Sequence, residues 1–266
     1  MTKNIFNNIL TPVLCTLSLM SISAQATIVE FQTSHGNFKV NLHDETTPKT
    51  VENFLNYVNS GSYNDTIIHR TVDDFIIQGG GAKFEGTLPP AWIDVEDSII
   101  NEPVYSNVKA TIAMAKQGGA VNSATSQWFI NVENNSTTGA QLDTQNGGFT
   151  VFGEVIEDGM DVVNLIAQVE RCDTGYSGFQ ELPMPDYAEQ CADTNAVPGI
   201  ENFVTIYQVV IFDATVSTDS GLSSIKNTSL DSDTGSPVDT SSSGGGSLMW
   251  YTLAFLGLLV SFRQKR

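Results

Sequence analysis

The chain has 266 residues, of which 41% are apolar. That is room for one sizeable folded domain with tails, and too apolar for wholesale disorder. Its formal net charge is −18, and a surface that acidic repels phosphate backbones, so a nucleic-acid partner is disfavoured.

The first residues read as an address. Lys3 supplies a positive start, an apolar stretch runs from Ile9 to Ile22, and Ala24-Gln25-Ala26 forms a small-x-small cleavage site. This predicts a secretory signal peptide over residues 1–26, with the mature chain beginning near Thr27. Cys15 lies inside it behind Leu14, where a lipoprotein signal needs a small residue.

Residues 27–217 carry the folded domain. Alternating side chains over Thr27 to Gln32 and Phe38 to Leu42, separated by Ser34-His35-Gly36-Asn37, predict a hairpin. Thr47-Pro48 opens a helix with Thr as N-cap; Val51, Phe54, Leu55 and Val58 follow at helical spacing, and Gly61 stops it. Further strand-like runs are Thr66 to His69, Phe75 to Gln78, Thr111 to Ala115, Gln127 to Val132, Thr150 to Ile156 and Phe203 to Ala214, with a second helix over Met160 to Ala167. Many short strands and two helices imply a mainly-β barrel or sandwich. Gly79-Gly80-Gly81 lacks the Lys and Ser/Thr that follow in a phosphate-binding loop.

Two segments stand out within this domain. Residues 68–80 read Ile-His-Arg-Thr-Val-Asp-Asp-Phe-Ile-Ile-Gln-Gly-Gly, and Thr111-Ile112-Ala113-Met114-Ala115 is followed by Ser126-Gln127-Trp128-Phe129-Ile130. In both, alternation sets a hydrogen-bonding side chain among apolar ones: Arg70, Gln78 and Gln127 supply polarity, and Phe75, Ile76 and Phe129 an apolar floor. A groove with a few convergent polar groups is the character of a ligand site. On residue type alone Arg70 could equally pair with Asp73 or Asp74.

Beyond the signal, Cys172 and Cys191 remain. In an exported chain two cysteines predict one disulfide across a Gly-, Pro- and acid-rich loop; two free thiols are the alternative. Residues 218–247 are rich in Ser, Thr, Asp and Gly, which predicts a disordered linker. A short apolar helix is expected within residues 248–266: an apolar run from Leu248 to Phe262, ending in Arg263-Gln264-Lys265-Arg266. At about 15 residues the run is short for a bilayer span. Ser-rich linker, Gly244-Gly245-Gly246, short apolar run and basic end together resemble the GlyGly-CTERM sorting signal of Gram-negative bacteria. That resemblance implies a rhomboid-type sorting protease as partner and delivery from the periplasm to the cell surface; a permanent inner-membrane tether is the alternative.

The two internal segments resemble the cyclophilin patterns F-H-R-x-x-x-x-F-x-x-Q-G-G and M-A-x-(n)-S-Q-F-F-I, and the likeness runs from Thr27 to Ala214 through Val151-Phe152-Gly153-Glu154-Val155. It implies a closed eight-stranded antiparallel barrel capped by two helices, and peptidyl-prolyl cis–trans isomerase activity without cofactor, on proline-containing peptides and unfolded exported proteins, by a monomer. The resemblance assigns Arg70, braced by Gln78, to the prolyl nitrogen, and Phe75, Ile76, Phe129 and Leu142 to the proline pocket. Ala115 and Lys116 would pair with the peptide backbone, Gln127 would bind a substrate carbonyl, and Phe149 would close the pocket. Strongly cyclosporin-binding relatives carry Trp near Gln141 and His near Phe149, so drug binding is expected to be weak. A non-catalytic proline-peptide-binding chaperone or surface module is the alternative function. The three histidines, His35, His43 and His69, form no metal or hydrolase motif.

Overall fold

The computed structural model of the protein describes residues 27–137, 139–191, 193, 196–214, 222 and 224–230. The expected signal peptide, most of the linker and the apolar tail lie outside these residues. Strands β1 (Ile28–Thr33) and β2 (Gly36–Leu42) form the expected hairpin, paired from Ile28–Asn41 to Thr33–Gly36. Their alternation turns Val29, Phe31, Phe38 and Val40 into the core. Helix α1 (Pro48–Asn59) buries Val51, Phe54, Tyr57 and Val58. Its N-terminus departs from expectation. The Thr47 hydroxyl donates back to the His43 carbonyl, and the Glu102 carboxylate accepts the first-turn N–H groups of Lys49 and Thr50. A carboxylate there also meets the positive end of the helix dipole.

The next strands are short: β3 (Thr66–Ile67), β4 (Arg70–Val72), β5 (Ile76–Gly79), β6 (Ala82–Lys83), β7 (Ala91–Trp92), β8 (Thr111–Met114), β9 (Trp128–Asn131) and β10 (Val151–Ile156). Helix α2 (Gly159–Ala167), β11 (Arg171–Cys172), β12 (Leu182–Pro183) and β13 (Thr205–Asp213) complete the domain. Eleven strands make one curled antiparallel sheet, ordered β4-β5-β9-β8-β10-β2-β1-β13-β3-β6-β7, and β11 pairs with β12 apart from it.

The closed eight-stranded barrel is therefore corrected to a half-barrel: among the described residues no ladder joins β4 to β7. The reason lies in the run expected as one strand over Thr66 to His69. It stops at Ile67, so that β3 pairs with β13 and β6, and a separate strand β4, begun by Arg70 beyond the expected run, pairs with β5. Single bonds hold the seam, from Ile68 N–H to the Val204 carbonyl (2.9 Å) and from His69 N–H to the Gln78 carbonyl (3.0 Å).

The main core gathers side chains from the sheet and from both helices, among them Phe31, Val40, Phe54, Ile130 and Val163. Phe31 stacks on Phe38 at 4.7 Å and meets Trp128 edge-on at 5.0 Å. A second cluster gathers Phe179, Leu182, Met184 and Phe203 against Ile67 and Ala82. A disulfide joins Cys172 to Cys191 beside it, with Cα atoms 5.5 Å apart.

Residues 224–230 fall in the stretch expected as free linker, yet they lie on the domain. Ser106 N–H donates to the Ile225 carbonyl (2.8 Å) and Asn227 N–H to the Val104 carbonyl (2.9 Å), while Asn227 Nδ2 donates to the Asp143 carbonyl (2.8 Å). Among the described residues no helix is long and apolar enough to cross a membrane.

Candidate active site

The sheet register builds the site. Arg70 faces Gln78, Gln78 faces Phe129, Phe129 faces Ala113, and Ala113 faces Val151. Directly opposed residues put their side chains on the same face of a pleated sheet. This row points outward, while the row Thr71, Ile77, Ile130, Ile112 points into the core. The outward row joins a separate apolar cluster of Ile76, Ala113, Phe129, Leu142, Phe149 and Val151.

Over this cluster lies a hollow of about 220 Å³. Phe75, Ile76, Gln78, Ala115, Lys116, Phe129, Leu142 and Phe149 line it, with Gly118, Gly119, Gln145 and Asn146 at the edge. Phe129 and Phe149 meet edge-on at 5.7 Å. Eight of the residues expected at the site thus share one cavity. Phe149, where His is frequent in drug-binding relatives, closes it by apolar contact. Gln141 stands outside the lining, on a turn with φ +52°.

The two remaining expected residues, Arg70 and Gln127, are not among those that line the hollow; each neighbours Gln78, which is. Gln78 is buried, and its Nε2 donates to Gln127 Oε1 at 3.0 Å, so Gln127 braces Gln78. Arg70 is one strand beyond Gln78, about 10 Å or two strand spacings from Phe129 along the sheet. Its ion-pair partner is neither Asp73 nor Asp74. Nε of Arg70 donates to Glu181 Oε2 at 2.6 Å, and Asp73 instead receives both arms of Arg171. The NH1 atom of Arg70 is buried without a partner.

Lys116 does more than its backbone suggested. Its Nζ donates to the carbonyls of Asn146 (2.9 Å) and Gly148 (2.7 Å) and sits 4.8 Å from the centre of the Phe149 ring. The side chain thereby ties down the loop forming the pocket's far wall, and burial lowers its pKa to about 8. Gly80 explains how β5 and β9 come so close. It adopts φ +75°, and a Cβ there would fall 2.6 Å from Trp128 Nε1.

His69, next to Arg70, is buried between Trp92 and Phe179, and burial, aided by the Arg70 charge, lowers its pKa to about 3. It is a neutral structural ring at working pH. Burial also lowers His43 to about 4; its ring packs against Tyr105 at 4.5 Å and does not line the hollow. Among the described residues no group of His, Cys, Asp and Glu is placed to hold a metal ion.

The sequence profile of the family described as cyclophilin type peptidyl-prolyl cis-trans isomerase/CLD matches residues 28–184. The chain belongs to this cyclophilin family. It is 43% identical over 162 residues to peptidyl-prolyl cis-trans isomerase cyp18 of Streptomyces antibioticus, covering 59% of this chain and 91% of that protein. It is 39% identical over 165 residues to peptidyl-prolyl cis-trans isomerase B of Escherichia coli (strain K12), covering 60% and 94%. Peptidyl-prolyl cis-trans isomerase A of Dickeya dadantii (strain 3937) is 37% identical over 195 residues, covering 69% and 95%. This cyclophilin thus spans nearly the full length of these relatives and adds the segments beyond them.

Proposed function

We propose that this cyclophilin rotates X-Pro peptide bonds in the groove over Phe129, with no covalent intermediate, and that its clients are exported proteins. The observation that carries the reading is an apolar hollow over Phe129 with Arg70 two strands along the same sheet face and Gln78 between them. Rotation of an X-Pro bond faces a resonance barrier of about 18–20 kcal/mol and takes tens to hundreds of seconds unaided. Lowering it requires only that the twisted state be bound better than either planar one.

As the bond twists, conjugation is lost and the prolyl nitrogen gains a lone pair. A guanidinium stays protonated across the working pH range and offers N–H groups in a fixed fork. In this reading Arg70 supplies that donor; its described side-chain hydrogen bond runs from Nε to Glu181. Phe129, Leu142, Phe149 and Ile76 hold the ring, and the buried Gln78–Gln127 pair presents polarity between ring and guanidinium. A protease-coupled peptide isomerisation assay tests this. Wild type accelerates cis-to-trans exchange and Arg70→Ala lowers kcat by about a hundredfold, the scale of losing one preorganised donor to developing charge. Peptide binding without turnover in wild type would instead make this a holding module.

The export part of the proposal is supported by the signal-like residues 1–26 and by the Cys172–Cys191 disulfide, which suits an oxidising compartment. The tail pattern supports delivery from the periplasm to the cell surface of a Gram-negative bacterium after cleavage by a rhomboid-type protease, the folded domain acting as a monomer. Fractionation with an antibody to the domain tests this: full-length chain held in the inner membrane would contradict it.

A further inference from the structure

Among the described residues the Arg70 side chain makes one hydrogen bond, from Nε to Glu181 Oε2 at 2.6 Å. Glu181 lies 111 positions later, immediately before β12, inside the segment stapled by Cys172–Cys191. It is not a loose surface acid. Its own carbonyl accepts the Thr71 N–H at 2.9 Å, so residue 181 is fixed to β4 by backbone and side chain at adjacent positions. The same hairpin is clamped at the turn after β4, where both arms of Arg171 reach Asp73 at 2.6 Å. The β11–β12 hairpin therefore runs as a brace beside β4, with one carboxylate on the guanidinium.

Arg is among the side chains with most rotamer freedom to lose. Fixing Nε removes much of that freedom and sets the plane of the guanidinium. We propose that Glu181 is the positioning residue for Arg70, holding its guanidinium oriented before substrate arrives and doing no chemistry itself. The proposal rests on the isomerase reading of the groove. Glu181 is 41% exposed and Arg70 22%, and ion pairs that open add little to stability. The effect therefore falls on turnover rather than on folding.

The test is steady-state isomerisation with full-length protein. Glu181→Ala lowers kcat by about tenfold, within the range a small misplacement costs, with KM within about twofold and Tm within about 2 °C, since the pair adds little to stability. Glu181→Gln keeps an oxygen to accept the Nε proton and regains most of the loss. In an Arg70→Ala background, Glu181→Ala has no further effect, as expected for residues acting as one unit. Wild-type kcat in Glu181→Ala, or an equal factor lost with and without Arg70, overturns the proposal. An inactive wild type would instead remove the isomerase reading on which it stands.

Discussion

Phe129→Ala separates the proline pocket from the guanidinium. The ring is 3% exposed and packs in the cluster with Ile76, Leu142 and Phe149. Truncating a buried Phe to Ala costs about 3–5 kcal/mol. One side of this ring faces the hollow rather than neighbours, so the loss belongs at the lower end, about 3 kcal/mol. For a domain of this size that lowers Tm by roughly 6–12 °C. A proline ring seated there loses about 50 Å² of apolar contact, or about 1.2 kcal/mol, which raises KM roughly eightfold. Arg70 lies two strands away and is untouched, so kcat stays within about twofold. Phe129→Leu keeps an apolar wall and serves as control, with a cost under about 1.5 kcal/mol. Isomerisation at 10 °C, well below either Tm, gives KM and kcat separately. If Phe129→Ala loses the thermal stability but keeps the wild-type KM, the ring is core alone and the substrate's proline sits elsewhere.

Burial holds the Lys116 ammonium at about 8 instead of 10.5. Between those values the unfolded chain binds the extra proton, so this group makes stability rise with pH across the window. Denaturation of wild type and Lys116→Met at pH 7.5 and 10 reads it: the difference moves in favour of wild type at the higher pH, and a flat or opposite trend refutes the assignment. Removing the disulfide as Cys172→Ala/Cys191→Ala frees a loop with a sequence separation of 19, which in the chain-entropy account costs about 3 kcal/mol. Tm then falls by roughly 6–12 °C, and a change under 2 °C would show that the second cluster holds the segment unaided.

What the sequence made legible is what period-two alternation and spacing encode. The hairpin, both helices and the outward row of Gln78 and Phe129 follow from patterns a few residues long. Pairing between distant segments leaves no such trace. Glu102 caps α1 from 52 positions away, and Glu181 reaches Arg70 from 111. The break after Ile67 and the separate strand β4 were hidden for a related reason: strands of two or three residues are too short to show alternation, and only their partners decide where the ladder breaks. The side-chain role of Lys116 left no trace in the sequence because it depends on a loop 30 positions on, where Asn146 and Gly148 offer carbonyls. Residues 224–230 read as linker by composition, yet backbone groups at 104–106 need partners, and a polar segment supplies them as well as any.

On the proposed mechanism, X-Pro rotation in the hollow over Phe129 depends on the Arg70 guanidinium. Two-dimensional NMR exchange spectroscopy on an Ala-Pro peptide, with the enzyme at a small fraction of the peptide concentration, tests it directly. Wild type should produce cis–trans exchange cross-peaks within a second, against the tens of seconds or more of free peptide. Arg70→Ala should still bind the peptide but lose those cross-peaks. Exchange as fast in Arg70→Ala as in wild type would contradict the account.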